Sequence, residues 1–535
     1  MIRQLCVFLA LLVLFARPVL GGDGLLAEGR RLYLEGLRAD GSPLEGWRPG
    51  GERLHGRDMA CVQCHRRSGM GTVEGVVIVP PVAGAALFSP GQPASGHVPR
   101  RAAGMTLQDH AFRTRPAYDA ASLGRALRDG TGPGGVPFEP LMPRYILNDR
   151  EIAALAAWMR SLGSTPAPGV DDAASGGTLH LATVIAPDAD PRQRDAMRAV
   201  LQRCVAQRSP RPGSGREPWQ LDEWQLSGPP AGWRAQLVEY MRTRPAFALL
   251  AGVGREWQPV HEFCEAEGVP CLFPNTDAPG PAPYASIYLW PGVALEGIVM
   301  ARQLAEQARP PQRVVQVFAR DDIGRFGAAA LTNALPGVKQ QDAGFAGSLD
   351  EPRVRKLLAS LKAGDVLVLW LAPADLHSFF AARPRPPEGV TVLLSGVLAE
   401  LERAPDGTLI PPAWRPALRF TYPFELPDER LARMVFNLGG WMSGHGLALA
   451  RDTERIQGNT YSACEVTARA LYTMAGRHSR DYLLELVEDS YAGAVATAFP
   501  RFSLGPGQRF GSKGAYWMRV GSSGRLEVEG DWIVP

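Results

Sequence analysis

The chain lacks the motifs of common hydrolases and nucleotide-binding enzymes. Its 535 residues contain no HExxH zinc motif, no GxSxG motif with triad partners and no phosphate-binding P-loop. The adjacent carboxylates Asp321 and Asp322 fall in one loop, whereas general acid and base groups would face each other across a cleft. The sequence therefore favours a carrier or binding protein over an enzyme.

Net charge is also small. The formal net charge is +3 at pH 7, which is too little to indicate nucleic acid or an anionic membrane surface as a partner. At 535 residues the chain is too long for one hydrophobic core, so we expect several domains.

Long apolar runs are lacking as well. The longest, residues 5–16, follows Arg3 and precedes the small residues Gly21 and Gly22. Crossing a bilayer takes roughly 20 apolar residues, whereas this pattern is typical of a secretory signal peptide. We expect residues 1–21 to be the signal peptide and the mature chain to have no membrane span.

The most informative motif is CVQCH, formed by Cys61, Cys64 and His65. Two thiols two residues apart followed by an imidazole are what covalent haem attachment requires. The sulfurs bond to the haem vinyl groups, and the histidine ligates the iron. A zinc half-site would need two more ligands, and no second CxxC is present. The motif predicts one covalently bound haem c.

A second axial ligand can be sought downstream. Met142, in the sequence PLMPRY, is the best candidate, because a thioether is a soft, neutral ligand that raises the haem potential. Met70 lies too near His65 to reach the opposite face, and Met159 belongs to a predicted helix. The alternatives that stay open are Met105, or a bis-histidine iron with His97 or His110.

Two helices are predicted around these residues. Asn148 or Asp149 can cap a helix that ends at Gly163. Its apolar residues recur at helical spacing and are Ile152, Leu155, Ala156 and Met159. Gly29 and Tyr33 lie four apart on an earlier helix, so a bare backbone patch and a ring share one face. Such faces pack together.

The order of these segments resembles the class I cytochromes c. The G…LY first helix, CVQCH, SLGRALRDGTGPGG, MPRY and the EIAALAAWM last helix follow that family's order over about residues 24–163. The resemblance implies an all-α cytochrome c domain at 22–163, thioether bonds at Cys61 and Cys64, and His65 and Met142 as axial ligands. It also implies one-electron transfer in the periplasm.

Residues 164–177 read STPAPGVDDAASGG, a composition typical of a linker. Beyond it, short apolar runs such as HLATVIA and VLVLWLA alternate with stretches of helical spacing. This alternation predicts an α/β domain at 178–535 with parallel sheets, whose ligands bind outside the carboxyl ends of the strands.

This second region resembles the type I periplasmic binding proteins, specifically the branched-chain amino acid and amide receptors. The segments GVPCLFPNTDAP, YASIYLWPGVALEG, RVVQVFARDDIGRFGAAAL and NTYSACEVTARALYTMA match that family in order. The resemblance implies two Rossmann-like lobes that close on a small ligand. The first lobe would hold the chain to about Trp290 and again from about Tyr422, and the second lobe would hold the middle and the closing RFGSKGAYWMRV strands.

By the same resemblance, Gly252 and Gly254 would offer backbone N–H groups to a small-molecule ligand. Asn275 and Thr276 would bind its carboxylate. A glycine turn or a capping asparagine explains each of them equally well.

The chain departs from that family in its second lobe. Ile323 stands where the family has a tyrosine, and residues 395–397 stand where it has an acidic residue for the ligand's amino group. An α-amino acid is therefore doubtful as the ligand. The large rings Trp290, Trp370 and Phe326 suggest a more apolar or aromatic molecule, although such rings are as often core.

Four cysteines remain after the leader and the haem pair, an even number in an oxidising compartment. Cys264 is expected near the end of a helix and Cys271 at the start of the next strand, with a turn at Gly268 between them. We expect these two to form a disulfide. Cys204 with Cys464 is the implied second pair.

Together these features predict a periplasmic c-type cytochrome fused to a solute-binding module. It would exchange electrons with a dehydrogenase or an oxidase. The alternatives are a ligand receptor whose haem domain reports redox state or docks a partner, and an oxidoreductase subunit whose cleft holds the electron donor.

Overall fold

The computed structural model describes residues 22–74, 77–91, 115–164, 167–171, 177–211, 213–403, 408–490 and 496–535. The chain divides into two compact units, Met1–Thr165 and Pro166–Pro535. The expected signal peptide lies outside the described residues, as do the alternative iron ligands His97, Met105 and His110. Among the helices of the described ranges, none combines the length and apolar character that crossing a membrane requires.

The N-terminal unit contains five helices and five short strands within its described residues. In chain order they are α1 (Gly22–Glu35), β1 (Glu45–Trp47), β2 (Arg53–His55), α2 (Val62–His65), β3 (Thr72–Glu74), β4 (Val77–Val79), α3 (Gly84–Phe88), α4 (Ala120–Asp129), β5 (Arg144–Tyr145) and α5 (Asp149–Ser161).

The all-α expectation for this unit is only partly right. Strands β2, β1 and β5 form an antiparallel three-stranded sheet, and β3 pairs with β4 as a hairpin. In the sheet, Gly46 lies opposite Tyr145 and Trp47 opposite Arg144. Strands of two or three residues carry too little periodicity to be recognised in a sequence.

Helices α1 and α5 cross where the sequence places a glycine. A Cβ atom added at Gly29 would lie 2.0 Å from the backbone oxygen of Ala154, so only glycine allows this approach. The N-terminal cap of α5 is Asn148. Its side chain accepts from Glu151 N, and the Glu151 side chain accepts from Asn148 N, a reciprocal pair that fixes where the helix begins.

The C-terminal unit begins with a five-stranded parallel sheet, which we call the first lobe. Its elements are β6 (Leu179–Ile185), α6 (Pro191–Arg208), β7 (Trp219–Gln225), α7 (Trp233–Thr243), β8 (Ala248–Leu250), α8 (Gln258–Glu267), β9 (Cys271–Leu272) and β10 (Ser286–Ile287). The strand order is β10-β9-β8-β6-β7. The helices cover both faces, as nearly continuous apolar strands require.

The second lobe is a seven-stranded sheet of order β12-β11-β13-β14-β15-β16-β17, entered through helix α9. Its elements are α9 (Val293–Ala305), β11 (Arg313–Ala319), α10 (Gly324–Ala334), β12 (Lys339–Phe345), α11 (Glu351–Ser360), β13 (Asp365–Trp370), α12 (Pro373–Ala381), β14 (Thr391–Ser395), β15 (Leu418–Tyr422), β16 (Tyr516–Val520) and β17 (Leu526–Val528). The last two strands run antiparallel.

Between β15 and β16 the chain returns to the first lobe. It forms α13 (Pro427–Gly444), α14 (Glu454–Met474) and α15 (Arg480–Glu488). Helix α13 packs through Leu438 and Met442 on Val200 of α6. The chain thus crosses between the lobes several times, as the sequence predicts.

Part of the expected linker lies against the first lobe. In the segment 167–171, Val170 bridges Leu179, and Asp171 pairs with His180 at 3.2 Å. Arg480 reaches the carbonyl of Pro168 at 3.5 Å. This segment is therefore an ordered extension of the first lobe.

The disulfide predicted for Cys264 and Cys271 is wrong. Both residues are buried free thiols, and the Cys264 side chain forms a hydrogen bond with that of Cys271. Burial raises the pKa of Cys264 well above its usual value, so this thiol stays protonated.

The disulfide of the described residues joins Cys204 of α6 to Cys464 of α14, with their Cα atoms 6.4 Å apart. The two helices pack side by side, and Arg208 forms an ion pair with Glu465 in the same helix contact, at 2.5 Å. This is the pair that the sequence left as the implied second one.

We expect the double variant Cys204→Ser/Cys464→Ser to lose about 2–4 kcal/mol of unfolding free energy in the C-terminal unit, because the bond closes a long loop. Urea unfolding with and without reductant measures it: reductant should lower the wild-type midpoint and leave the variant unchanged. Peptide mapping under non-reducing conditions provides the second measurement. A linked peptide pair containing Cys264 and Cys271 would contradict the assignment.

Candidate functional site

The CVQCH residues lie within one helical turn. Cys61 is the N-cap of α2, and its carbonyl accepts from His65 N at 2.8 Å. Arg66 ends the helix with a positive φ of 65°, and its carbonyl accepts from the Tyr33 hydroxyl at 2.8 Å. This turn therefore holds Cys61, Cys64 and His65 in one fixed arrangement.

The imidazole of His65 is oriented by a backbone group. Its Nδ1 lies 2.9 Å from the carbonyl oxygen of Pro80, and because a carbonyl only accepts, Nδ1 carries the proton and Nε2 has its lone pair available. Burial lowers the pKa of His65, which also favours the neutral ring. A neutral imidazole with Nδ1 bound to a carbonyl is the usual form of a metal-ligating histidine.

Met142 belongs to the same hydrophobic cluster as Cys61 and Val62. Its carbonyl accepts from Arg144 Nη1 at 2.6 Å, and its N–H donates to the Glu139 carbonyl at 3.2 Å. The backbone of Met142 is therefore fixed by hydrogen bonds at both its N–H and its carbonyl group.

Met159 and Met70, the other downstream methionines among the described residues of this unit, suit the role less well. Met159 lies inside α5 and is buried in the core. Met70 is half-buried and its N–H donates to the Ser68 hydroxyl at 3.0 Å, five residues after the histidine.

These residues fit a covalently attached haem. Cys61 and Met142 pack against one hydrophobic cluster, and Cys64 and His65 lie in the same helical turn as Cys61. Within the described ranges, no group of three or more His, Cys, Asp or Glu side chains is placed to hold a metal ion.

The four sequence-predicted ligand residues of the C-terminal unit do come together. They lie beyond the carboxyl ends of β8 and β9, where Val253 bridges Asn275. Asn275 N donates to the Gly252 carbonyl at 2.7 Å, and Gly254 N donates to the Asn275 carbonyl at 3.4 Å. Thr276 follows directly.

Much of their hydrogen-bonding capacity is used within the chain. The carboxylate of Asp188 accepts from the next two amides, Arg255 N at 3.2 Å and Glu256 N at 2.7 Å. The hydroxyl of Thr276 accepts from Ala278 N at 3.2 Å. The loop that would offer N–H groups to a ligand anion thus already holds a carboxylate of its own.

Asn275 differs from the other three. Its Nδ2 donates to the Thr460 hydroxyl at 3.4 Å, whereas its buried Oδ1 has no hydrogen-bond partner. A buried polar atom without a partner is costly. Asn275 is therefore the strongest of the four ligand candidates.

Two ion pairs cross from the first lobe to the second. Arg255 binds Asp322 at 2.7 Å, and Glu256 binds Arg325 at 2.8 Å. Each lobe supplies one cation and one anion, and Arg325 lies in the first turn of α10. The side chains are partly exposed, so we call these two pairs the cleft-mouth pairs.

A third contact between the lobes lies deeper. Glu402, in the loop after β14, binds Arg430 of α13 at 3.2 Å and Arg455 of α14 at 3.3 Å. Arg430 also binds Glu454 at 2.7 Å. Burial opposes ionisation of Glu402, but the two guanidinium groups outweigh it and lower its pKa.

Sequence reasoning missed this cluster. The family resemblance placed an acidic residue directly after β14, and Glu402 comes seven residues beyond Ser395. A position in a loop gives no sign that its side chain turns back into the cleft. Its charge is met by arginines of this chain.

The aromatic residues are mostly core. Trp290 packs against Phe424 and Phe499, with ring centroids 5.4 and 6.2 Å apart, and is 3% exposed. Trp370 donates from Nε1 to Gln316 and is 1% exposed. Phe326 is half-buried beneath the Arg325 guanidinium. The rings therefore give no support to an aromatic ligand.

A buried carboxyl group anchors the loop that carries Glu402. Glu296 of α9 is fully buried, and its oxygens accept from Gly396 N at 3.0 Å, from the Thr421 hydroxyl at 2.9 Å and from the Ser395 hydroxyl. Burial raises its pKa to about 8, against the four hydrogen bonds that lower it. Glu296 is therefore mostly protonated at neutral pH.

The raised pKa makes stability depend on pH. From pH 4.5 to about 8 the unfolded chain ionises Glu296 and the folded chain does not, so unfolding free energy falls with rising pH by up to about 1.4 kcal/mol per unit. We expect Glu296→Gln to remove this decline. Urea unfolding across that range measures it, with the exposed carboxylate variant Glu351→Gln as control. Equal slopes in both variants would contradict the assignment.

Comparison with known proteins gives two results. Residues 51–163 match the family model described as Cytochrome c. No curated protein matches the chain.

Solved structures resemble the remainder of the chain. A leucine binding protein from Thermotoga maritima is 14% identical with a TM-score of 0.48, over 66% of this chain and 99% of that one. An ABC transporter substrate binding protein from Aeropyrum pernix is 12% identical with a TM-score of 0.49, over 67% and 97%. A solute binding protein from R. palustris, solved in complex with benzoate, is 13% identical with a TM-score of 0.46, over 67% and 98%. At these values the similarity says nothing about what this chain binds.

Proposed function

We propose that this chain, whose residues 51–163 match the cytochrome c family, is a periplasmic one-electron carrier with one covalent haem c, fused to a small-molecule binding module. The observation that carries the proposal is the arrangement at α2. Cys61 and Cys64 flank one turn, and His65 has Nδ1 held by the Pro80 carbonyl at 2.9 Å.

The haem would supply reversible one-electron chemistry. Cys61 and Cys64 would hold it through thioether bonds, and His65 and Met142 would ligate its iron. The hydrogen bond to Pro80 orients the imidazole. The apolar core beside Cys61 and Met142, which includes Leu32, would favour the less charged reduced state of a bound haem.

If His65 and Met142 both ligated the iron, no position would remain for substrate chemistry, which supports electron transfer as the role of this unit. Its partners would be redox proteins, such as a dehydrogenase or an oxidase. In the second unit, Asn275 supports ligand binding, because its Oδ1 is buried without a partner.

The alternative is a receptor in which the ligand unit receives the signal and the haem unit reports redox state or docks a partner. The cross-lobe contacts of Glu402 favour it to this extent: they are internal charges that a ligand could rearrange on binding. Coupling would then appear reciprocally, as a ligand affinity that depends on redox state.

Met142→Ala should abolish the methionine-sulfur absorption band of the oxidised protein, because the band requires the thioether that we propose as the iron ligand. The measurement is the absorption spectrum of purified, oxidised protein that was produced together with the haem maturation machinery. Met70→Ala is the control and should keep the band. A band that persists in Met142→Ala would show that another residue ligates the iron.

A screen of small metabolites by thermal shift on the full chain tests the binding module. A ligand at a hundred times its Kd stabilises the native state by about 2.7 kcal/mol, and Asn275→Ala should weaken its binding about tenfold or more by removing the buried amide. A carrier with tethered, independent units predicts the same haem potential with and without ligand. A shift in potential would favour the receptor.

A further inference from the structure

We propose that Arg144 is a positioning residue that holds the Met142 loop where its thioether can ligate iron. This inference rests on the proposed role of Met142. Arg144 donates from Nη1 to the Met142 carbonyl at 2.6 Å. A guanidinium is rigid and always charged, so its hydrogen bond to a carbonyl is short and directional.

The guanidinium is itself confined. A Cβ atom added at Gly130 would lie 1.9 Å from Arg144 Cζ, so the side chain lies directly against that glycine. Gly130 is the C-cap of α4, with a φ of 71°, and its carbonyl accepts from Phe138 N at 2.8 Å. Arg144 therefore fixes the Met142 carbonyl relative to the end of α4.

The strand that carries Arg144 is fixed as well. In β5, Arg144 pairs with Trp47 and Tyr145 with Gly46, and successive side chains of a strand point to opposite faces. The buried Tyr145 side chain belongs to the hydrophobic cluster against which Cys61 packs. In one short strand, Arg144 thus contacts the loop of Met142, and its neighbour Tyr145 packs near the CVQCH turn.

This arrangement suggests a role for the three-stranded sheet β2-β1-β5 of the N-terminal unit. It sets the distance between the residue that begins the attachment motif and the loop with the second ligand. Arg144 holds Met142 through the backbone carbonyl. The thioether is not used in that contact and would be available to the metal.

The test is performed on the full-length protein with its haem attached. Arg144→Met keeps the length and removes the donors, and Gly130→Ala displaces the guanidinium without changing charge. Arg128→Met is the matched control, because Arg128 also donates to a backbone carbonyl, that of Leu147 at 2.9 Å. The measurements are the methionine-sulfur band and the affinity of the oxidised protein for imidazole as an external ligand.

We expect Arg144→Met to raise imidazole affinity about tenfold, as loss of one charged hydrogen bond to the loop implies, and to weaken the sulfur band. Gly130→Ala should do the same in part, and Arg128→Met should leave both within about twofold. A merely structural role would lower stability without changing imidazole affinity.

Unchanged affinity in both Arg144→Met and Gly130→Ala would overturn the inference. If Arg144→Met does not mature, Arg144→Lys together with Gly130→Ala decides, because lysine keeps the charge and lacks the fork. A failed role for Met142 is recognised separately, by a sulfur band that survives Met142→Ala.

Discussion

The N-terminal unit depends on one backbone hydrogen bond, from His65 N to the Cys61 carbonyl. It closes the single turn of α2. The two thiols for covalent attachment and the imidazole for iron ligation are therefore held in one rigid arrangement. The positive φ at Arg66 ends the turn, and Tyr33 of α1 holds the carbonyl at that point. Helix α1 packs on α5 at Gly29, and Tyr33 lies one helical turn further along α1. This packing therefore helps to position the tyrosine that binds the Arg66 carbonyl.

Features set by nearby residues were predictable. The helix that ends at Ser161 begins at the cap expected for it, and the apolar runs of the second unit form the parallel strands expected of them. These follow from caps and from hydrophobic periodicity, which act over a few residues. The two-lobed return of the chain through α13 and α14 follows the order given by the family resemblance.

Features set by distant residues were not predictable from the residues alone. Cys204 and Cys464 are 260 residues apart, and their bond depends on α6 packing against α14. The nearer pair, Cys264 and Cys271, looked better by spacing, yet both remain free thiols. Strand β5 has two residues and no pattern, yet it places Arg144 and Tyr145.

The cleft of the second unit carries opposite charges on both sides. Because the cleft-mouth pairs are partly exposed, mobile ions can reach them, and the Debye length falls from about 10 Å at 0.1 M salt to about 3 Å at 1 M. The strength of the attraction between the lobes at this point thus depends on the salt concentration as well as on the protein. In the deeper contact of Glu402, the Arg430 side chain is only 2% exposed and is less accessible to such ions, so a higher salt concentration should weaken the rim of the cleft before its floor.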